Sequence, residues 1–197
     1  MTVRYPNSVL MQPTQKVDFD RDEVKRLSED MFATLEKERG VGLAANQFSE
    51  LTGLSMFVVN FKDKEDLFTG VFVNPEIVSH SDDTTTVPEM CLSLPSVKIN
   101  KERYSSITLR WQDVEAKEHE ETFVGFKAVI LQHEMDHLFG KTILSSLPRL
   151  KQKIVVDQMK KNVVKSVRAR AKEMNIPTPK NAQEKIDIYT GKRMWNE

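Results

Sequence analysis

The chain has 197 residues, with 29 lysines and arginines balanced by 29 aspartates and glutamates. This length suits one domain with a substantial core, and the charge balance gives no general attraction to nucleic acid or to a membrane surface. The single cysteine, Cys91, excludes an internal disulfide, and the sequence has neither an apolar leader nor a stretch of about 18 apolar residues. We therefore expect a cytoplasmic protein that binds neither membrane nor DNA.

The first part of the chain predicts an extended arm followed by an amphipathic helix. Residues 1–19 contain two prolines, which oppose a regular helix. Asp20 is a good N-cap, and Glu23 three residues later completes the pattern of a capping box. A helix is predicted over 21–38, and Gly40 is expected to end it. The apolar residues that recur at helical spacing are Val24, Leu27, Met31 and Leu35.

Residues 40–47, with the sequence GVGLAANQ, form the first stretch that suggests a site. Its glycines permit special backbone angles or the close approach of a ligand, and Gln47 is its only long polar side chain. One interpretation is a glycine turn into a short buried segment. The other is a loop that faces a ligand, with the amide of Gln47 directed into the groove.

The middle of the chain predicts several short strands. Residues 79–86 are polar and are expected to be exposed. Residues 106–111 alternate in polarity, and residues 119–124 are expected to be their hairpin partner. Several short strands that surround one buried helix predict an α+β fold. The predicted strands cover 54–61, 71–75, 76–78, 106–111 and 119–124.

Cys91 lies in an apolar setting within residues 89–95. A lone cysteine between apolar neighbours is most often an inert buried thiol. The alternative is a thiolate that completes a metal site with histidines elsewhere in the chain. His80 and His119 stand in polar surroundings and are expected to be surface residues, so a closed four-ligand site is not predicted.

The pattern His-Glu-x-x-His lies within a helix predicted over 126–138. Residues four apart share one face of a helix, so His133 and His137 could bind one divalent metal ion. Glu134 could then act as a general base toward a water molecule beside the metal. Cys91 would be the third ligand, and three protein ligands are typical of a catalytic site. The alternative is a buried helix with two hydrogen-bonded histidines.

The last part of the chain predicts a basic helix and a tail. Ser146 is expected to cap this helix, with Pro148 in its first turn. Residues 149–172 carry nine lysines and arginines against one acid, Asp157. This pattern fits either a solvated helix face or a contact with an anionic surface such as RNA. Residues 176–197 lack a clear period and are expected to form a C-terminal tail.

Three stretches, 40–47, 89–93 and 132–138, occur in one order, and together the chain resembles the peptide deformylases. The resemblance covers roughly residues 3–170 and implies one catalytic domain over 1–175. It implies an α+β fold in which short antiparallel strands surround the central metal-binding helix, followed by a C-terminal helix. It also implies a hydrolase that removes the formyl group from the N-terminal formylmethionine of new proteins and releases formate.

The resemblance further implies roles for individual residues in three sets. The first set would bind the metal, the second would carry out catalysis as base and oxyanion donors, and the third would contact the substrate. The metal ligands would be Cys91, His133 and His137; the catalytic groups Glu134, Gln47 and the N–H of Leu92; and the substrate contacts Val41, Gly42, Glu89, Met90, Phe126, Val129 and Ile130.

The resemblance implies one divalent metal ion per chain, with Fe(II) expected in the cell and zinc, nickel or cobalt as replacements. Two departures from the family pattern stand near the site. Met90 occupies a position that is usually glycine, which affects the expected substrate preference. Arg39 occupies a position that is often acidic, so Arg103 is expected to pair elsewhere.

Two alternatives remain at the level of the sequence. The first is a metallopeptidase of the His-Glu-x-x-His type, although no histidine follows His137 to act as a third ligand. The second is a protein whose main role is to contact the ribosome through the basic helix over 149–172. The set formed by Cys91, Gln47 and Glu134 favours deformylation over both.

Overall fold

The computed structural model describes residues 2–18, 20–48, 53–63 and 66–173. Short 3-10 helices occupy Ser8–Met11, Ala45–Gln47 and Ile143–Ser146. The longer elements, in chain order, are α1 (Arg21–Glu38), β1 (Gly42–Ala44), β2 (Met56–Asp63), β3 (Asp66–His80), β4 (Thr84–Cys91), β5 (Leu94–Tyr104), β6 (Ser106–Gln112), β7 (Glu118–Val124), α2 (Gly125–Leu138) and α3 (Arg149–Glu173).

The strands form two antiparallel sheets, which confirms the predicted α+β class. The larger sheet has the order β1-β2-β3-β6-β7, and β4 and β5 form a separate two-stranded sheet. Helix α2 contacts strands of both sheets, and nine of its 14 residues are buried. A helix enclosed in this way must be apolar on several sides, which explains the apolar run before the histidines. The core between α2 and the larger sheet includes Phe57, Phe72, Ile107, Leu109, Ala128, Leu131 and Met135.

Helix α1 has the bounds that its sequence predicts. The side chain of Asp20 accepts a hydrogen bond from the N–H of Glu23 at 3.1 Å, as a capping residue should. The helix ends at Glu38, and Arg39 adopts the left-handed conformation before Gly40. Its four apolar residues at helical spacing are buried against β2 and the stretch 40–47, and they are Val24, Leu27, Met31 and Leu35.

Two strand predictions differ from the structure. The strands expected at 71–75 and 76–78 are parts of β3, whose pairing with β6 is irregular between Val73 and Glu76. Asn74 has a positive φ of 50° at this irregularity. The Asn-Pro pair that the sequence shows as a turn is therefore a local irregularity within one strand. The exposed polar stretch 79–86 is confirmed as mostly exposed, but it includes the end of β3 and the start of β4.

The last helix begins without the cap that the sequence predicts. The hydroxyl of Ser146 donates to the carbonyl of Ile143 within a 3-10 turn, so it does not cap α3. Helix α3 packs on β5 through Met159 and Val163. The expected tail, 176–197, lies outside the described residues, so the single-domain boundary remains a prediction. Among the described helices, none is long and apolar enough to cross a membrane.

Candidate metal centre and substrate groove

The structure brings Cys91, His133 and His137 together, although 42 residues separate the cysteine from the first histidine (133 − 91). One potential ligand atom from each side chain lies within 4.8 Å of the other two. The sulfur of Cys91 is 3.2 Å from Nε2 of His137. Cys91 ends β4, whereas the histidines lie one turn apart on α2. Three converging donors match the ligand count of a catalytic metal site.

The charge state of these donors fits a metal cation. Burial raises the pKa of the Cys91 thiol, but the charge on His137 and a hydrogen bond with His133 outweigh it and hold the pKa well below its usual value. A lowered pKa favours the thiolate, which is the form that binds metals. A divalent cation among the same atoms would balance the negative charge of this thiolate.

Glu89 supports the first histidine from behind. Its Oε2 lies 2.7 Å from Nδ1 of His133, and Arg103 binds the same carboxylate through Nε at 2.6 Å and Nη2 at 2.9 Å. Burial raises the pKa of Glu89, but the bonds from His133 and Arg103 outweigh it and lower the pKa to about 2. Arg103 also binds Asp136 at 2.7 Å, and Lys101 binds the same oxygen of Asp136. Arg103 thus finds its acidic partners in Glu89 and Asp136, and it needs no acidic residue at position 39.

Glu134 is buried beside these three donors, at 3% exposure. Its Oε2 has no hydrogen-bond partner among the residues that the structure describes. Burial raises the pKa of Glu134 to about 7, which suits a group that takes and returns a proton near neutral pH. Its Oε1 lies close to β1, since a Cβ placed on Gly42 would come within 2.3 Å of it.

Gln47 is held at both ends of its amide. Its Oε1 accepts a hydrogen bond from the N–H of Ala44 at 2.9 Å. Its Nε2 donates to the hydroxyl of Ser93 at 3.0 Å and lies 3.4 Å from the sulfur of Cys91. The amide N–H groups are therefore directed toward Ser93 and toward the sulfur of Cys91. Leu92, which follows Cys91, is half-buried.

The remaining residues expected at the substrate groove divide into exposed and buried groups. Val41, Met90 and Phe126 are exposed, and the ring of Phe126 contacts Phe61 edge-on at a centroid distance of 5.0 Å. Gly42, Glu89, Val129 and Ile130 are buried. The carboxylate of Glu89 is engaged by His133 and Arg103, and its contact with substrate remains a prediction.

Comparison with known proteins identifies the family. The model of the family described as Polypeptide deformylase matches residues 1–153. The chain belongs to this family. The peptide deformylase of Aquifex aeolicus (strain VF5) is 37% identical over 161 residues, covering 81% of this chain and 94% of that protein. The crystal structure of a peptide deformylase from Legionella pneumophila has a TM-score of 0.75 at 34% identity, covering 86% of this chain and 97% of that one.

A second solved structure agrees on the fold. The peptide deformylase from Ehrlichia chaffeensis has a TM-score of 0.77 at 27% identity, covering 82% of this chain and 94% of that one. Peptide deformylases are metal-dependent hydrolases that remove the N-formyl group from new proteins and release formate, and this chain is such an enzyme. The family match contradicts the metallopeptidase alternative.

Some residues of this deformylase site were not anticipated from sequence. Asn46 is buried, and its amide donates to the carbonyl of His137 at the end of α2. Ser93 fixes the amide of Gln47, and Asp136 holds Arg103. Each of these residues is a polar residue inside one of the three stretches, and this polarity was the signal that the sequence offered. The hydrogen-bond partner can lie far along the chain, 91 residues away for Asn46, so the sequence alone could not assign these bonds.

Proposed function

We propose that Cys91, His133 and His137 hold one divalent metal ion, and that Glu134, Gln47 and Leu92 carry out deformylation around it. The observation that carries the proposal is the convergence of the three donors within 4.8 Å beside the buried Glu134, whose Oε2 has no hydrogen-bond partner among the described residues. When bound, a divalent metal in such a site polarises a carbonyl and makes water more acidic. The remaining chemistry is assigned to side chains of this protein.

The donor set admits several metals. One thiolate and two imidazoles suit Fe(II), zinc, nickel and cobalt, so ligand type does not select among them. We propose Fe(II) as the ion in the cell, with the other three as replacements. Loading the protein with each ion and comparing formate release would test this order.

Glu134 is proposed to move the proton that the reaction must transfer. Water adds to the formyl carbon while Glu134 takes one of its protons. The carboxyl then returns this proton to the nitrogen of the methionine as the C–N bond breaks, giving formate and a free amino terminus. A buried carboxyl with a pKa of about 7 can both accept and release the proton at neutral pH.

Gln47 and the backbone N–H of Leu92 are proposed to donate to the oxyanion that forms when water adds to the formyl carbon. A donor contributes most when its orientation is fixed before the reaction. The bonds of Gln47 with Ala44 and Ser93 supply this fixed orientation. Loss of one such donor typically costs about 10²–10³ in turnover.

The substrate is proposed to be the formylmethionyl end of a nascent chain. The backbones of Val41 and Gly42 would contact the peptide backbone. Glu89 and Met90, on β4, would also contact the substrate. The methionine side chain would lie against Phe126, Val129 and Ile130. We propose that the enzyme acts in the cytoplasm, where new chains emerge.

Formate release from formyl-Met-Ala-Ser by the anaerobic, Fe(II)-loaded protein tests the proposal. Glu134→Ala should bind the metal and lose about 10²–10⁴ in turnover. The matched control is Glu29→Ala, an exposed glutamate of α1, which should behave as wild type. Equal turnover in Glu134→Ala and wild type would overturn the role of the base. No formate from a metal-loaded wild type would overturn the proposal as a whole.

A contact between α3 and the ribosome is proposed as a second function. The described part of this helix presents Lys160 and Lys161 to solvent within a strongly basic stretch. Charge reversal at both positions should weaken co-sedimentation with ribosomes and leave formate release intact. The same reversal at Lys25 and Lys37 on α1 is the control. Equal sedimentation of both double variants would contradict a specific contact.

A further inference from the structure

The N-terminal strap, which we define as residues 2–15, is hydrogen-bonded through its backbone to two of the three stretches that resemble the family, 40–47 and 89–93. The N–H of Val3 donates to the carbonyl of Gln47 at 2.7 Å. Two residues later, the N–H of Tyr5 donates to the carbonyl of Ser93 at 2.9 Å. The strap therefore joins the segment that carries the amide of Gln47 to the segment that fixes this amide.

The far end of the strap is bonded to the third motif. Both the N–H and the hydroxyl of Thr14 donate to the carbonyl of Leu138, at 2.8 and 3.0 Å. Just beyond α2, the chain passes so close to the strap that a Cβ on Gly140 would lie 2.8 Å from the backbone of Met11 and Gln12. The strap thus contacts the segment of Gln47 and is bonded close to both segments that supply the metal donors.

The strap is anchored to the fold along its length. Thr2 is 3% exposed and forms a β-bridge with Phe48, and Leu10 is fully buried. Arg4 forms a 2.6 Å ion pair with Glu38 at the end of α1, with both side chains largely covered. A segment held by burial, pairing and charge in this way has a fixed position in the fold.

The position of the strap matters most for Gln47. The backbone of Gln47 is tied to Val3, and the hydroxyl that its amide meets belongs to Ser93, which is tied to Tyr5. A shift of the strap would move both ends of the Gln47–Ser93 bond. Catalytic donors tolerate little displacement, and a misplacement of about 1 Å can cost about 10²-fold in rate.

We infer that the N-terminal strap positions the oxyanion donor, with Val3 as a positioning residue that acts through Gln47. The inference rests on the proposed role of Gln47. Val3 does not touch the substrate in this account. Its N–H fixes the backbone on which the amide stands, so its loss should reduce turnover while the metal ligands, which lie on β4 and α2, still bind the ion.

The test removes the backbone N–H of residue 3 and leaves every residue of the metal centre in place. Val3→Pro removes the N–H, and we expect kcat to fall by about 10–10²-fold while KM for formyl-Met-Ala-Ser changes by less than about twofold. Cobalt content and thermal midpoint should stay close to wild type. The control is Lys16→Pro, an exposed position immediately after the strap, which should keep wild-type kcat.

A double-mutant cycle separates positioning from general destabilisation. If Val3 acts through Gln47, adding Val3→Pro to Gln47→Ala should change kcat by no more than about twofold. A purely structural role would multiply the two losses. Multiplied losses, or wild-type kcat in Val3→Pro, would overturn the inference while the role of Gln47 stands. Wild-type kcat in Gln47→Ala would overturn both.

A second variant covers the case in which proline prevents folding. Removing residues 1–3 deletes the same donor without placing a proline ring in the strap, and the same fall in kcat and the same cycle with Gln47→Ala are expected. A folded, cobalt-loaded truncation with wild-type kcat would overturn the inference. An unfolded truncation would also overturn it, since the strap would then be needed for the fold itself.

Discussion

Glu89 and His133 form a largely buried carboxylate–imidazole pair, with Oε2 of the glutamate 2.7 Å from Nδ1 of the histidine. Because a carboxylate at a pKa of about 2 is ionised and only accepts, Nδ1 of His133 is the donor. The proton on Nδ1 leaves Nε2 as the ligand atom and fixes the ring plane. The pair therefore determines how the first histidine of the helix meets a metal ion.

Glu89→Gln should weaken metal binding. The amide is neutral and cannot hold both Arg103 and the ring as the carboxylate does. Loss of such a supporting group typically costs about 10–100-fold in metal affinity. Competition of the cobalt-loaded protein with a chelator would measure the change. Glu102→Gln, an exposed glutamate on β5, is the control. Equal affinities for the two variants would show that the pair does not tune the site.

Gly42→Ala should disable the base without removing the metal. A Cβ at this position would lie 2.3 Å from Oε1 of Glu134, so the carboxylate must move. We expect turnover to fall toward the loss caused by removing the base, about 10²–10⁴-fold, with metal content unchanged. Formate release and metal analysis on the same sample would measure both quantities.

The control for that variant is Gly70→Ala, a glycine in β3 of the same sheet. The nearest atoms to a Cβ there belong to the ring of Phe72, at 3.0 Å, so we expect near-normal turnover and a small loss of stability. If Gly42→Ala and Gly70→Ala lost turnover equally, contact between the new Cβ and Glu134 would not be the cause of the loss in Gly42→Ala.

Local patterns in the sequence predict α1, the β6–β7 hairpin and α2, because each has a clear period and a turn or cap at its ends. The β4–β5 hairpin was not predicted, because the buried residues of β4 are Glu89 and Cys91, with Pro88 beside them, so this strand gives no apolar alternation. The three motifs predict which side chains meet in the metal centre. The bonds of Arg103 with Glu89 and Asp136 join three elements, so they could not be inferred from spacing. The same holds for the bond between Val3 and Gln47.

Met90→Gly should alter the preference for the second residue of the substrate. Met90 is 68% exposed, whereas its neighbours Glu89 and Cys91 are buried, so their side chains point to opposite faces of β4. A peptide extended beside β4 with its methionine directed inward would direct its second side chain outward, toward Met90. Partial burial of this thioether against an apolar side chain contributes about 1 kcal/mol, or about fivefold in kcat/KM.

The measurement is the ratio of kcat/KM for formyl-Met-Leu-Ser to that for formyl-Met-Asp-Ser. We expect the ratio to fall about fivefold in Met90→Gly. Leu150→Ala, which removes an equally exposed apolar side chain from α3, should keep the wild-type ratio. An unchanged ratio in Met90→Gly would mean that the second side chain does not lie beside β4, even if deformylation itself proceeds.

Metal removal should lower thermal stability, because the ion would tie β4 to α2. Cys91 lies at the end of one element and the two histidines lie on the other, so a bound ion stabilises only the folded chain. At a free metal concentration of 100 times Kd, this linkage is worth about 2.7 kcal/mol. For a domain of this size, that corresponds to a change of about 5–10 °C in Tm. Calorimetry of the cobalt-loaded protein, before and after dialysis against a chelator, measures the shift.

Cys91→Ala separates this effect from metal bound elsewhere. The variant retains both histidines but loses the only donor on β4, so cobalt should no longer link the two elements. We expect its Tm to change by less than about 2 °C between cobalt and chelator. If cobalt raised the Tm of the variant as much as that of the wild type, the stabilising ion would not bind between β4 and α2. The assignment of Cys91 as a ligand would then be wrong.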